Sequence, residues 1–208
     1  MLRIHNFARG ARGQRVMWLC EEMGLPYCVE NHTFPVSAAY RTLNPLGTVP
    51  FLEDTGGVAF NESIAMLIYI VQRYGPTPLW PTSDPRLMAR CLQVTVFGET
   101  ELGMNLNALL AAHFMAPPTA KGNWSVVQLD QRVRRALDYA ADLVAPGRYA
   151  VGETLTLADI SLSCALNMWQ GGLGGELPQD LAAYQETMRQ RPAYQRARAR
   201  CAEDSSAR

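Results

Sequence analysis

Leu2 and Ile4 alternate with Arg3 and His5 and lead into Phe7, the period of a short, half-buried first strand. A turn rich in glycine and arginine follows at residues 8–13. Val16, Leu19, Cys20 and Met23 then recur at i, i+3, i+4 and i+7, which predicts a helix over 14–23. Gly24 ends it as a C′ residue and Pro26 blocks continuation. Residues 27–30 read as a second strand, 33–43 as a stretch holding a short helix, and 49–53 as a strand opening at a proline. Asp54-Thr55-Gly56-Gly57 is a hairpin turn, and 58–60 pair back. Ile64, Leu67, Ile68 and Val71 mark one face of a helix over 61–74.

This β-α-β-α-β-β-α order occupies about 75 residues, too few for a doubly wound sheet, so a four-stranded mixed sheet is expected. Residues 75–85 concentrate proline with Gly75, Ser83 and Asp84, which marks a linker. Beyond it every pattern is helical: 86–114, with a bend expected near Gly98 or Gly103, then 125–144, 156–169, 181–190 and 193–201. Thr156 with Asp159 three residues on predicts a capping box. The expected organisation is a first domain over 1–75, a linker over 76–85 and an all-helical domain over 86–208.

Composition narrows the function classes. The 208 residues carry 19 basic and 19 acidic side chains, so no net field favours nucleic acid or an anionic membrane, and any anion must be held by a local site. The five cysteines show no C-x-x-C and no ligand-like spacing, so neither a disulfide framework nor a metal site is expected. No signal-peptide pattern or apolar run of spanning length is present, which gives a cytoplasmic reading.

The strongest chemical signal is Thr48-Val49-Pro50 followed by Glu62-Ser63. A turn running into a strand-opening proline favours a cis bond, which would present the Val49 backbone to an extended peptide at a sheet edge. Glu62 and Ser63 begin a helix, where free amides and the helix dipole favour an anion. A hydroxyl and a carboxylate side by side suit an α-amino acid head group.

The chain resembles the cytosolic glutathione transferases of the bacterial type. The resemblance is carried by residues 43–52 (L-N-P-L-G-T-V-P-F-L), 61–65 (N-E-S-I-A), 18–27, the proline-rich linker, 156–159 (T-L-A-D) and 191–194 (R-P-A-Y). It implies a thioredoxin-like α/β first domain, an all-α second domain, glutathione as co-substrate and a homodimer. It also implies that Val49 pairs with the cysteinyl backbone of glutathione, that Glu62 and Ser63 hold the γ-glutamyl end, with Thr48 and Pro50 beside them, and that Asp159 organises the helical domain.

The catalytic position departs from the family pattern. A tyrosine, serine or cysteine is expected at the end of the first strand or in the turn after it, yet residues 5–15 contain none. One alignment puts Asn6 in the tyrosine place with Arg12 nearby; another puts Gly10 at the serine or cysteine place. Arg12, with Asn6 or a turn amide, is the candidate for lowering the thiol pKa, since a nearby cation or helix N-terminus does so. His5 and His32 read as packing or surface residues, and His113 as surface or core. Met104, Asn105, Trp169 and the 171–175 loop could border an apolar pocket.

The leading expectation is transfer of the glutathione thiolate to an apolar electrophilic small molecule. Within the same fold, a glutathione-dependent thiol–disulfide or peroxide reaction is the alternative. From another class comes a non-catalytic binding or scaffold protein.

Overall fold

The computed structural model describes residues 1–144 and 148–202. Its first compact unit comprises Met1–Thr77 together with the segment that begins at Arg189; its second is Pro78–Met188. Sequence punctuation had placed the limits at 75 and 86 and run the helical domain to 208, whose last residues lie outside those described. The last helix packs on the first unit, a long-range return that no local pattern announces.

In the first unit, β1 (Leu2–Phe7), α1 (Ala11–Met23), β2 (Tyr27–His32), α2 (Ala38–Leu43), β3 (Phe51–Asp54), β4 (Val58–Phe60) and α3 (Ser63–Tyr74) follow one another. The sheet order is β2-β1-β3-β4, with β1 parallel to β2 and antiparallel to β3. This is the mixed sheet of a thioredoxin-like domain. Leu2, Ile4, Val16, Trp18, Leu19, Leu52, Met66, Leu67 and Ile70 form its core.

Helix α1 starts at Ala11, one turn earlier than its apolar period suggests, behind Gly10 in extended conformation. The early start depends on Gly13, where a Cβ would run into the Asn6 amide of β1. Arg12 is therefore a first-turn helical residue, not part of a preceding loop. Gly24 takes φ 64° and its N–H returns to Glu21 O and Cys20 O, closing the helix as a left-handed cap.

The closing helix α9 (Pro192–Ala202) is tied to α1 by Arg191, just before it, on Glu22, with nitrogen–oxygen distances of 2.7 and 2.9 Å, and by the T-shaped Trp18–Tyr194 pair.

The second unit contains α4 (Pro85–Phe97), α5 (Met104–Met115), α6 (Trp124–Val144), α7 (Leu157–Asn167) and α8 (Gln179–Arg189); α9 spans Pro192–Ala202. The expected bend between α4 and α5 is a π-helical segment, Gly98–Gly103. Gly98 sits there because a Cβ would lie 2.6 Å from Ser161 Oγ of α7. Helix α7 is buried on all sides, and at its start Asp159 accepts from Thr156 N at 2.8 Å, Ala150 N at 2.7 Å and Tyr184 OH at 2.9 Å.

Candidate functional site

The loop between α2 and β3 is built as a polar scaffold around one carbonyl. Thr48 O accepts from the Tyr40 hydroxyl at 2.7 Å and from Asn44 Nδ2 at 2.8 Å. Asn44 Oδ1 in turn accepts from Asn61 Nδ2 at 3.1 Å, and Thr48 Oγ1 reaches Asn61 Oδ1 at 3.4 Å. This network draws Thr48, Val49 and Pro50 beside Asn61, Glu62 and Ser63, so the two stretches singled out in the sequence share one place. The Val49–Pro50 bond is cis. Val49 rests on the small core of Val36, Tyr40 and Phe51.

Glu62 stands at the N-terminus of α3 with φ 73°, a conformation unusual for a residue with a side chain, and its exposed carboxylate forms no cap bond to the helix. Beside it Ser63 is buried, and its Oγ accepts from Arg15 Nη1 at 2.7 Å. Arg15 is only 1% exposed. A buried guanidinium, a hydroxyl that can still donate its own proton and the first amides of α3 thus converge, the arrangement that favours a carboxylate. Arg15 was not among the site residues expected from the sequence. Its signal was periodicity: it lies three and four residues before Trp18 and Leu19, on the buried face of α1.

The turn after β1 is placed differently from expectation. Asn6 is fully buried, and its Nδ2 points to Cys201 Sγ at 3.4 Å, between Gly10 and Gly13 of the helix start. The side chain is turned into the interior, away from a sulfur arriving from solvent, so this geometry gives no support to the expected thiolate donation by Asn6. Period-two alternation already places it with Leu2 and Ile4 on the face toward α1. Arg12 is half-buried in the first turn of α1. Arg9 adopts φ 66°, and its N–H donates to Cys201 O at 2.9 Å.

Cys201, unremarked in the sequence, is the thiol nearest this turn, and its Sγ also lies 3.5 Å from Gly10 O. Burial pushes its pKa up, against the opposing effect of the Asn6 amide and the Arg9 and Gly10 backbone. Cys20 is pushed by burial to about 12. Neither has the depressed pKa of a reactive thiol.

His5 is buried and His32 half-buried, and both are bonded: His5 Nδ1 lies 2.9 Å from His32 Nε2, and His5 Nε2 lies 2.8 Å from Glu53 Oε2. In the second unit His113, Trp169, Gly174 and Gly175 border a cavity of about 620 Å³ with Lys121 and Arg134. Met104 does not join it, and Asn105 Nδ2 bonds back to Glu101 O at 2.7 Å.

Comparison with known proteins places these features in context. Residues 11–73 match the family model of the glutathione S-transferase N-terminal domain, and residues 106–192 that of the glutathione S-transferase C-terminal domain. Glutathione S-transferase Z2 of Arabidopsis thaliana is 26% identical over 212 residues, covering 94% of this chain and 90% of the relative. Glutathione S-transferase 3 of Schizosaccharomyces pombe is 34% identical over 80 residues, 37% of this chain and 32% of the relative. Elongation factor 1-gamma 1 of Oryza sativa subsp. japonica is 32% identical over 130 residues, 62% of this chain and 30% of the relative. The matches thus span about a third of the length of the last two relatives. Among solved structures, Ure2p in complex with S-p-nitrobenzylglutathione shares the fold with a TM-score of 0.84 at 20% identity, over 95% of this chain and 94% of that one.

Proposed function

Because the chain belongs to the glutathione S-transferase superfamily, we propose that it binds glutathione at the Thr48–Ser63 end of its first unit and transfers the thiolate to an apolar electrophilic small molecule. The observation that carries this reading is the buried Arg15 guanidinium on Ser63 Oγ at the start of α3. Arg15, Ser63 and the first amides of α3 take the γ-glutamyl carboxylate; Glu62 takes the ammonium; the Val49 backbone pairs with the cysteinyl residue. A neighbour in structure, Ure2p, is in complex with S-p-nitrobenzylglutathione.

The chemistry asked of the protein is positioning and stabilisation of the thiolate, by the Arg12 cation and the N-terminal amides of α1. Calorimetric titration with glutathione, followed by conjugation to a reference aryl halide, tests the reading. Micromolar-to-millimolar binding with measurable turnover supports it, and absence of binding overturns it.

A binding-only role is the second reading. The burial of Asn6 favours it, as does a turn without hydroxyl or thiol and the likeness to an elongation factor subunit. Glutathione binding without conjugation would select it. A thiol–disulfide or peroxide reaction is less well supported, because the thiol nearest the turn, Cys201, is buried with a raised pKa.

The reading includes a homodimer in a reducing, cytoplasmic setting. Leu92 and Val96 of α4 and Met104 of α5 are exposed apolar residues suited to a shared face, and the five cysteines form no disulfide. No helix among the described residues is long and apolar enough to cross a membrane. Light scattering at micromolar protein should give twice the chain mass of 23.0 kDa.

A further inference from the structure

Sheet pairing assembles a second cluster of side chains that the glutathione reading does not use. In the parallel register of β1 and β2, His5 lies opposite Glu30 and Phe7 opposite His32. Glu30 and His32 are two residues apart on a strand and so share a face. His5 Nδ1 is 2.9 Å from His32 Nε2 and 3.8 Å from Glu30 Oε2, and His32 Nε2 is 3.9 Å from Glu30 Oε1. Ligand atoms about 2.0–2.1 Å from a tetrahedral zinc ion stand roughly 3.3 Å from one another, so these separations bracket a coordination shell.

The surroundings of His5 fit as well. Its other nitrogen, Nε2, lies 2.8 Å from Glu53 Oε2, the carboxylate–histidine pairing that fixes a tautomer and orients a metal-bound imidazole. With the His5 Nε2–H donating to Glu53 Oε2, the Nδ1 lone pair of His5 faces His32. In the metal-free chain the His32 Nε2–H donates to that lone pair; with the proton on His32 Nδ1 instead, both lone pairs converge. The Tyr40 ring, 4.0 Å from that of His32 between centroids, walls one side. Glu30 is 45% exposed at its side chain, which leaves a way in.

We propose that His5, His32 and Glu30 form a binding site for a divalent transition metal of the zinc type, with water completing the shell and Glu53 as a positioning residue. Two imidazoles and one carboxylate suit zinc and its neighbours rather than magnesium or calcium. Arg3 Nη1, 3.2 Å from Glu30 Oε2, is the resident cation that the metal must displace or share the carboxylate with. The ion would clip the edge strand β2 to β1. Through Tyr40, whose hydroxyl holds Thr48 O, it would also back the loop that carries Val49.

Chelator-stripped full-length protein, titrated with zinc chloride by calorimetry and with cobalt chloride by visible spectroscopy, tests the site. The expected result is one equivalent per chain and the intense visible bands of low-coordinate cobalt. Glu30→Gln, which keeps the side chain's shape on the half-buried strand β2, and His32→Gln should each weaken binding more than tenfold. Glu53→Gln should weaken it by roughly 10–100-fold, the scale for an outer-shell partner. Cys28→Ser, on the same strand, should leave binding unchanged. Stoichiometric binding that survives both Glu30→Gln and His32→Gln, loss of binding on Cys28→Ser, or no binding in the unsubstituted protein would each overturn the proposal.

Discussion

The starts of α7 and α3 are opposite solutions to the same physical problem. Each helix begins with amides that have no partner within the helix. At α7 the chain supplies the partner itself: Asp159, buried to the last atom, gathers Thr156 N, Ala150 N and the Tyr184 hydroxyl. Burial outweighs these bonds and pushes its carboxyl above the ordinary range. At α3 the N-cap is Glu62, held at φ 73° with its carboxylate outward and no side-chain cap bond, while a buried arginine waits on the neighbouring serine. A helix start saturated by its own chain serves folding. One that holds strain and concentrates positive charge is suited to an anion from outside, and strain of this kind costs about 1–3 kcal/mol.

The largest effect expected from this contrast is at α7. Asp159→Ala leaves two backbone amides and a tyrosine hydroxyl buried without an acceptor, so it should lower stability by at least about 3 kcal/mol. Urea denaturation measures that loss, and glutathione affinity of the folded fraction should not change. If affinity falls while stability holds, the two helix starts do not divide their roles in this way.

At α3 the effects should reverse. Ser63→Ala should weaken glutathione binding by about 1–3 kcal/mol, the scale of a hydrogen bond to a charged group. Glu62→Ala should weaken it on the same scale. Glu62→Gly sharpens the point, because glycine accepts φ 73° freely: it should be more stable than Glu62→Ala by about 1 kcal/mol yet bind no better. Calorimetry and denaturation on the same three variants check both halves. Equal stability of the alanine and glycine variants would remove the argument from strain.

A third carboxylate lies between these extremes and reports through pH. Asp54 ends β3, accepts from Thr55 N at 2.6 Å, and takes the Tyr69 hydroxyl at 2.8 Å and the Tyr74 hydroxyl at 2.6 Å. Burial pulls its pKa up, but the tyrosine and Thr55 bonds win and hold it below the ordinary value of 3.8. A group depressed in the folded state holds fewer protons there than when unfolded. Its contribution is therefore present above pH 3.8 and is lost as pH falls through the folded value. Tyr74→Phe should lower stability by about 1 kcal/mol near neutrality. That difference should shrink as the pH falls below 3.8. A difference independent of pH would assign the loss to packing.

What could be read from the chain followed the range of the interaction. Thr48-Val49-Pro50 and Glu62-Ser63 were legible because turn chemistry and helix starts are written in adjacent residues, and the Thr156–Asp159 cap was legible for the same reason. The bend between α4 and α5 was legible at Gly98 and Gly103, although that it is π-helical depends on contact with Ser161. Arg15 was not, because an arginine near a glycine-rich turn reads as solvated until its position against Trp18 and Leu19 is weighed. The His5, Glu30 and His32 cluster depends on strand register, which no spacing along the chain encodes. The burial of Asn6 was not read, because position at a strand end does not say which face a side chain takes; the alternation with Leu2 and Ile4 does.

The smallest effect concerns the sulfur, and it bears on whether α1 belongs with α3 or with α7. Gly10 caps α1 without a side chain, so the first turn of α1 is, like that of α3, not closed by its own residues. Arg12 lies in that turn, and a helix N-terminus and a cation there act in the same direction on an approaching anion. Glutathione thiol, near pKa 8.5 when free, would be drawn toward ionisation at neutral pH by both. Because Arg12 is only half-buried, solvent screening limits its share. Arg12→Ala should therefore raise the pKa of the bound thiol by less than about one unit, and Arg12→Lys, which keeps the charge, by less still. Thiolate absorbance against pH, at saturating glutathione, measures both. Asn6→Ala should leave that titration alone and lower stability instead, since its amide faces Cys201 in the interior. A shift in Asn6→Ala without a loss of stability would reopen its role at the sulfur. No shift in Arg12→Ala would leave the amides of α1 as the whole of the activating field, and the binding-only reading would gain if the unsubstituted protein showed an unperturbed thiol as well.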